Sequence, residues 1–262
     1  VHHHFVSSIA NLTTTAKNRK DLLKEFYSAR KSDMEIKKGE PATFYLVPGK
    51  NETRTNTLIE KLMIQKIEVK VAEKDFPVSE LHNYWNSKTV TKNLPKGTYI
   101  IALDQPMGRL AKTILEFDPR MDNSVLEKER KKLEKEKQST MYDITGWSLP
   151  IAYNIESYWT EKKSSEPATL VKSILQVKGN LENPQPKFGY LIEYYDDKVI
   201  SVLEKLFEDG FRVRSAKETF EIGGKSYSRG TLLIRLNENP TSIHDEMQKI
   251  SETCGINIFG VN

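Results

Sequence analysis

The feature that most constrains the fold is a residue-level match between two distant parts of the chain. The matching positions are Tyr45-Leu46 with Tyr190-Leu191, Glu60-Lys61-Leu62 with Glu204-Lys205-Leu206, Val69 and Ala72 with Val213 and Ala216, Phe76 with Phe220, and Lys96-Gly97-Thr98 with Arg229-Gly230-Thr231. The period is too long for a solenoid repeat. It predicts a pseudo-twofold α/β domain or two related lobes, and the alternative is chance similarity between two strand–helix–strand units.

Hydrophobic patterning predicts a strand, a helix and a strand at the start of each half. These elements are Ala42–Val47, Thr53–Lys66 and Ile67–Ala72 in the first half, and Phe188–Tyr194, Lys198–Glu208 and Phe211–Ser215 in the second. Later elements are strands Gly97–Leu103, Gly230–Leu236 and Ile256–Phe259, a hairpin over Phe220–Tyr227, and helices Arg109–Leu115 and Thr241–Thr253. Because strand–helix–strand units have parallel strands, we predict an α/β fold with a parallel sheet.

The segment before the first strand has helical patterning. Residues 5–35 are predicted to form one helix, broken at most once, which ends before Lys37–Pro41. We predict a helical segment over residues 1–40 and an α/β module over 41–262, in which the related halves 42–115 and 187–262 flank a linking segment, 116–186. The charged run Leu126–Lys137 within that linking segment is predicted to be a solvated helix or a mobile loop.

Composition excludes several classes of function. The net charge is only +4 and basic residues alternate with acidic ones, so we expect no nucleic-acid partner. No apolar run approaches membrane-spanning length, so no membrane partner is expected either.

The single cysteine, Cys254, excludes an internal disulfide and a multi-thiolate metal site. His82 and His244 are isolated, and His2–His4 are interpreted as a tag remnant or as native residues heading a helix, so we expect no metal ligand here.

The turn Leu103–Gly108 lies between a predicted strand and a predicted helix, where α/β proteins place ligands and nucleophiles. It offers Asp104, Gln105 and Pro106 but no Ser or Cys, so we expect no catalytic residue. The alternative for Asp104 is an N-cap of the following helix. Asp196 and Asp197 are likewise interpreted as capping acids, with a two-carboxylate site as the alternative.

An aromatic segment, MYDITGWSLPIAY over Met141–Tyr153, follows the charged run. It is either a plug that fills the core where the halves meet or the lining of a cleft. The candidate cleft-lining residues are Asp104, Gln105, Tyr142, Asp143 and Trp147.

This segment, with Gly210–Ala216 and the Arg-Gly-Thr-Leu run from Arg229, resembles the C-terminal region of large bacterial zinc carboxypeptidases of the carboxypeptidase A class. The resemblance implies a module similar to class I glutamine amidotransferases, and hence a flavodoxin/amidotransferase-like architecture. It also implies a secreted or periplasmic protein, and an upstream catalytic domain of the same polypeptide that holds the zinc. This chain lacks the His-x-x-Glu pair of the peptidase and the cysteine of the amidotransferase elbow.

Three functional hypotheses follow. The favoured one is a non-catalytic accessory module of a zinc metallocarboxypeptidase, without a cofactor of its own, that supports the peptidase domain or helps to bind its peptide substrate. The second is an independent module that binds a small ligand or a peptide. The third is an enzyme of amidotransferase-like fold with atypical catalytic residues.

Overall fold

The computed structural model describes residues 2–85, 88–117, 121–139, 148–174 and 179–262. Its helices are α1 His2–Lys17, α2 Arg19–Ser32, α3 Glu52–Ile64, α4 Gly108–Leu115, α5 Asn123–Glu136, α6 Leu149–Ala152, α7 Lys198–Glu208 and α8 Ile243–Cys254. Its strands are β1 Thr43–Leu46, β2 Lys70–Ala72, β3 Phe76–Asn83, β4 Val90–Leu94, β5 Tyr99–Ala102, β6 Ser157–Thr160, β7 Ala168–Leu170, β8 Leu181–Glu182, β9 Gly189–Ile192, β10 Arg214–Ser215, β11 Phe220–Ile222, β12 Lys225–Tyr227, β13 Leu232–Arg235 and β14 Ile258–Val261.

The chain divides into two compact units. Unit 1 comprises Val1–Val47 and Leu58–Val171, and unit 2 comprises Pro48–Thr57 and Lys172–Asn262. The predicted boundaries at residues 1–40 and 41–262, and the linking role of 116–186, stay predictions. Residues 116–186 contain helices α5 and α6 and strands β6 to β8.

Unit 1 is built on a seven-stranded sheet with the order β4-β3-β6-β1-β5-β2-β7. All six neighbouring pairs in this sheet are antiparallel. The strands that flank helix α3, β1 and β2, are not direct neighbours, because β5 lies between them and pairs with both.

Unit 2 repeats this plan in a five-stranded sheet with the order β10-β13-β9-β14-β8. Here β13 lies between β9 and β10, the strands that flank helix α7, and is antiparallel to both. The last strand, β14, pairs with the other side of β9 in antiparallel orientation, as β6 does with β1 in unit 1. Among the described strands, only β8 and β14 form a parallel pair.

The predicted parallel, flavodoxin/amidotransferase-like sheet is therefore wrong, although the mixed α/β class is confirmed. The strand–helix–strand units exist, and their two strands do point the same way. A third strand is inserted between them, however, so every ladder around it is antiparallel. Counting only the strands common to both units, the order is fourth, first, third, second, which is the split βαβ or ferredoxin-like arrangement.

Each sheet packs one face against helices and the other face against a hairpin. In unit 2, Tyr190, Ile192 and Ile234 pack with apolar residues of α7 and α8. On the opposite face, Leu191 and Val261 pack with the hairpin β11–β12. In unit 1, the equivalent hairpin-side cluster contains Tyr45, Val47, Phe76, Val78, Leu81, Leu94, Ile100 and Tyr158. Burial of these apolar side chains is the main stabilising term of both units.

The repeat is visible in the hydrogen bonds that begin the inserted strands. The Gly97 N–H donates to Ala72 O at 3.0 Å, and the Gly230 N–H donates to Ala216 O at 2.9 Å. The following residues, Thr98 and Thr231, are fully buried. Each donates its hydroxyl over 2.7 Å to the carbonyl three residues earlier. Both glycines have positive φ, +86° and +92°. The prediction that Gly97 and Gly230 occupy equivalent places is confirmed.

One of the predicted matches is out of register. The structure pairs Tyr45 with Ile100 of β5, and Leu191 with Leu233 of β13, on the hairpin side of each sheet. Tyr190 lies on the helix side. Because side chains alternate along a strand, a shift by one residue exchanges the two faces. Tyr45 is therefore equivalent to Leu191 and not to Tyr190.

The N-terminal segment is helical, as predicted, with a break at Asn18 between α1 and α2. Neither helix buries a single residue. The charged run forms the helix α5, which is the first of its two predicted alternatives. Among the described residues, no helix is long and apolar enough to cross a membrane.

We predict that Gly97→Ala and Gly230→Ala destabilise their units by similar amounts. A residue with a Cβ costs about 1–2 kcal/mol in the left-handed region, and each change strains the start of a central strand. Urea unfolding followed by circular dichroism measures both values. Gly49→Ala is the control, because Gly49 lacks a positive φ and a Cβ there meets open space. A near-neutral Gly230→Ala beside a costly Gly97→Ala would contradict equivalent roles.

Candidate functional site

The turn predicted to line a cleft has mainly structural contacts. The Gln105 side chain is buried, its Oε1 accepts from the Glu68 N–H at 2.6 Å, and its amide donates to the carbonyls of Glu68 and Ala102. Asp104 pairs with Lys163 at 2.8 Å. Its predicted capping role is wrong, because α4 begins after Met107 without a side-chain cap. Gln105 thus fastens the turn to the segment before β2, and its cleft-lining role stays a prediction.

The other predicted lining residues, Tyr142, Asp143 and Trp147, lie outside the described residues. The described end of that aromatic segment begins at Ser148 and forms the short helix α6. Proline suits the first turn of a helix because the missing N–H needs no partner there. Asn154 follows in the left-handed conformation with φ +52°, which ends the helix and directs the chain into β6.

Helix α6 forms one wall of a groove in unit 1. The groove has a volume of about 290 Å³ and is lined by Asn83, Tyr84, Trp85, Pro150, Ile151, Asn154, Ile155, Glu156, Ser157 and Tyr158. This volume is near the lower limit for cavities that hold small molecules. Aromatic rings and a few polar groups share the lining, which is the usual composition of a small-molecule site.

Trp85 is the most unusual residue of the groove, because 87% of it is exposed to solvent. Its backbone N–H donates to Asn83 Oδ1 at 3.0 Å, which holds the turn after β3. The Tyr84 ring meets the indole edge to face, with 4.7 Å between the ring centroids. Tryptophan is seldom left this exposed without a partner, and a flat exposed indole offers a stacking surface to a ligand.

Two of the lining residues, Glu156 and Tyr158, form a hydrogen-bonded triad with Lys92. Lys92 Nζ donates to Glu156 Oε1 at 2.8 Å and to the Tyr158 hydroxyl at 2.5 Å, and that hydroxyl donates to Glu156 Oε1. The hydrogen bond from Lys92 lowers the pKa of Glu156, and burial is the main cause of the raised pKa of Tyr158. The ammonium and the carboxylate neutralise each other, so this part of the groove has no net charge.

Of the two acids predicted as caps in unit 2, Asp196 bonds to the first turn of α7, whereas Asp197 makes no side-chain cap. Asp196 accepts from the Lys198 N–H at 3.0 Å at the start of α7, and from the N–H and hydroxyl of Thr53 in the first turn of α3. Asp197 accepts two hydrogen bonds from the Arg54 guanidinium, which lower the pKa of Asp197. Both carboxylates therefore have structural partners, which favours a structural role over a two-carboxylate site.

Both isolated histidines have structural contacts. His82 stacks on Trp159, with 3.8 Å between the ring centroids, and His244 Nδ1 lies 2.6 Å from the Tyr190 hydroxyl. Among the described residues, no three His, Cys, Asp or Glu side chains come close enough together to hold a metal ion.

Comparison with known proteins gives no assignment: no family model, no curated protein and no solved structure matches the chain.

Tyr84 and Trp85 were not predicted from the sequence, although a signal was present. The segment His82–Lys88 is polar except for this adjacent Tyr-Trp pair. The same contrast between aromatic residues and polar surroundings had marked Met141–Tyr153. Glu156 and Lys92 had no such signal, because they are adjacent only through the pairing of β3 with β4 and β6.

We predict that the Glu156→Gln variant loses less stability than the natural chain when the pH is lowered. A lowered pKa means that the Glu156 carboxylate stabilises the fold above its ordinary pKa of 4.5, and that this contribution disappears as the pH falls through the lower folded-state pKa. Since the pair is half exposed, the effect should stay below about 1 kcal/mol. Urea unfolding at several acidic pH values measures it. Glu134→Gln, in the exposed pair with Arg130, is the control, and an unchanged acid profile for Glu156→Gln would contradict the assigned pairing.

Proposed function

We propose that this chain is a non-catalytic accessory module that works docked to the catalytic domain of a zinc carboxypeptidase in the same polypeptide. Its motifs resemble the region that follows the catalytic domain in that family. The antiparallel sheets remove the basis for an amidotransferase-fold enzyme, so that alternative is dropped. The observation that carries the proposal is the unburied N-terminal helical segment.

Helices α1 and α2 each expose a stripe of large apolar side chains. Phe5, Val6, Ile9, Leu12, Leu22, Leu23, Phe26 and Tyr27 are each between 45% and 68% exposed. Most of them recur at spacings of three and four residues, which places them on one side of the helices. Single exposed apolar residues are common on protein surfaces, whereas a contiguous apolar stripe marks an interaction surface.

The anchored end of this segment has a different character. Arg30 donates to Pro106 O, and Asp33 pairs with Arg109 of α4, so the C-terminal end of α2 is fixed to the turn before α4 and to α4 itself. The apolar stripe lies before this anchor. An ordered helix that buries nothing gains no hydrophobic stabilisation, so the stripe needs a partner surface. A preceding domain of the same polypeptide would supply one at high effective concentration.

The reading frame upstream of Val1 gives the first test. We expect it to encode a His-x-x-Glu pair followed by a further His and a separate Glu, which together bind zinc and activate its water. An upstream frame that lacks this constellation would overturn the proposal.

The second test uses the full natural polypeptide. Replacing Leu23 and Phe26 by Ser should lower its stability by about 1.5–3 kcal/mol for each side chain removed from the interface. The control replaces Ile200 and Phe207 of α7, which are each 56% exposed, by Ser, and should change stability by about 0.5 kcal/mol or less per site. Thermal unfolding measures both variants. Equal effects of the two pairs would show that α2 is not an interface.

The groove supports a second candidate, an independent module that binds a small ligand or a peptide. Its neutral Lys92–Glu156 pair and exposed indole favour an uncharged, partly apolar group over a strongly charged one. Helix docking and ligand binding use different surfaces of unit 1, so the two candidates are separable by experiment.

We predict that Trp85→Ala leaves stability within about 0.5 kcal/mol, because the side chain is exposed. If the groove binds aromatic peptide side chains, the same change should weaken binding of a neutral, blocked Phe-containing peptide by several-fold to about tenfold. Calorimetric titration, whose signal does not depend on the indole, measures the affinity, and Phe188→Ala, a 42% exposed aromatic of unit 2, is the control. Loss of binding in both variants, or in neither, would contradict a specific site at Trp85.

A further inference from the structure

The groove at Trp85 presents a flat aromatic surface that its neighbours hold in place without covering it. Trp85 is 87% exposed. The Tyr84 ring meets the indole at an angle of 84°, so it touches the indole through one edge and leaves most of the ring system open. Such a surface attracts the partly positive C–H groups of a ligand, because the face of an aromatic ring is negative. A matching ligand therefore has a flat face of C–H groups.

Two exposed polar side chains, Asn154 and Glu156, line the same groove. Glu156 uses Oε1 for its hydrogen bonds from Lys92 and Tyr158, so Oε2 is left to accept from a ligand. The Asn154 side chain forms no hydrogen bond with another described residue, so its amide both donates and accepts towards the groove. Hydroxyl groups are suitable partners for both residues, because a hydroxyl is a donor and an acceptor at once.

The charges around the groove favour an uncharged ligand. Among the described residues that line it, Glu156 is the only charged one, and the ammonium of Lys92 lies 2.8 Å from its carboxylate. An anionic ligand would meet the carboxylate of Glu156. A cationic ligand would compete with Lys92 for that carboxylate, whereas the hydroxyl of a neutral ligand uses the free oxygen and leaves the ion pair intact.

A neutral sugar ring combines these properties. Each face of a pyranose carries C–H groups, and its edge carries hydroxyl groups. A phenyl side chain also has a flat face, but it would cover the polar groups of Asn154 and Glu156 without giving them a hydrogen bond, which is unfavourable. The volume of the groove, about 290 Å³, lies near the lower limit for small-molecule sites and suits a ligand of this size.

We propose that the groove at Trp85 binds a neutral pyranose sugar. One face of the sugar ring stacks on the Trp85 indole, one hydroxyl donates to Glu156 Oε2, and another hydrogen-bonds to the Asn154 amide. This inference rests on the second candidate function above, the ligand-binding groove, and names the class of its ligand. It does not depend on the apolar stripes of α1 and α2 or on an upstream domain.

The test is calorimetric titration of the whole chain with the methyl β-glycosides of D-glucose, D-galactose and N-acetyl-D-glucosamine. Two comparison ligands each lack one half of the sugar chemistry: sorbitol has hydroxyls but no ring face, and the blocked Phe-containing peptide has a flat ring but no hydroxyls. At least one glycoside should bind saturably and about tenfold more tightly than either comparison ligand, because only the glycosides both stack and form the hydrogen bonds.

The outcomes separate this inference from the function on which it rests. Saturable binding of the peptide without binding of any glycoside would overturn the sugar assignment and leave the ligand-binding groove in place. Binding of none of the five ligands would overturn both. Sorbitol binding as tightly as the best glycoside would show that the ring face does not stack, which also refutes the inference.

Two variants test the assigned contacts with the glycoside that binds best. Trp85→Ala should lower its affinity by about tenfold, and Trp85→Phe, which keeps a flat ring, should lower it less. Asn154→Gly removes the amide but tolerates the φ of +52°, and should lower the affinity by about threefold to tenfold. Phe188→Ala and Lys137→Gly, the latter also at a left-handed position, are the controls outside the groove and should bind normally. Unchanged affinity in Trp85→Ala or in Asn154→Gly would refute the assigned contacts.

Discussion

The antiparallel strand inserted into each strand–helix–strand unit is the constraint on which the rest of the structure depends. In unit 1, β5 takes hydrogen bonds from β1 on one side and β2 on the other, and β13 does the same in unit 2. Two residues before each inserted strand lies a glycine in the left-handed region, whose N–H donates to the carbonyl of Ala72 at the end of β2 or of Ala216 directly after β10. Because both ladders meet at this strand, its register determines which side chains face the helices and which face the hairpin. The two hydrophobic layers of each unit follow from that register.

Much of the local structure was predictable, whereas the pairing of strands was not. Helix α7 occurs over the residues predicted from its pattern, and the hairpin with Gly223 and Gly224 at its tip is present. Apolar periodicity reports only which face of an element is buried, so it gave the elements but not their neighbours. A strand–helix–strand pattern fits a parallel pair and a split pair equally well. The hairpin β3–β4 was missed although Phe76 had been matched to Phe220, because Pro77 and the left-handed Glu80 interrupt the alternation of β3.

The candidate sites depend on long-range contacts to a still greater degree. Lys92, Glu156 and Tyr158 meet only because β3 pairs with both β4 and β6. Asp33 and Arg109 are far apart in the sequence and meet only because Gly108 allows a close backbone approach. No local pattern encodes such pairs. Gln105, which the sequence predicts at a cleft because of its strand-to-helix turn, shows a further long-range contact: its amide groups bond to the backbone of Glu68 and Ala102.

The two hairpins of the repeat differ in length, and this difference bears on where the scaffold accepts additional residues. Ala72 and Gly97 are 25 positions apart, whereas Ala216 and Gly230 are 14 apart, yet the same backbone hydrogen bond joins each pair. Lengthening a closed loop adds little entropic cost, so extra residues accumulate here without disturbing the sheet. Trp85, the exposed tryptophan of the groove, lies in the longer of these two segments, between Ala72 and Gly97. Unit 1 thus carries the longer hairpin of the two, and that hairpin is the natural position for grafting a new recognition loop.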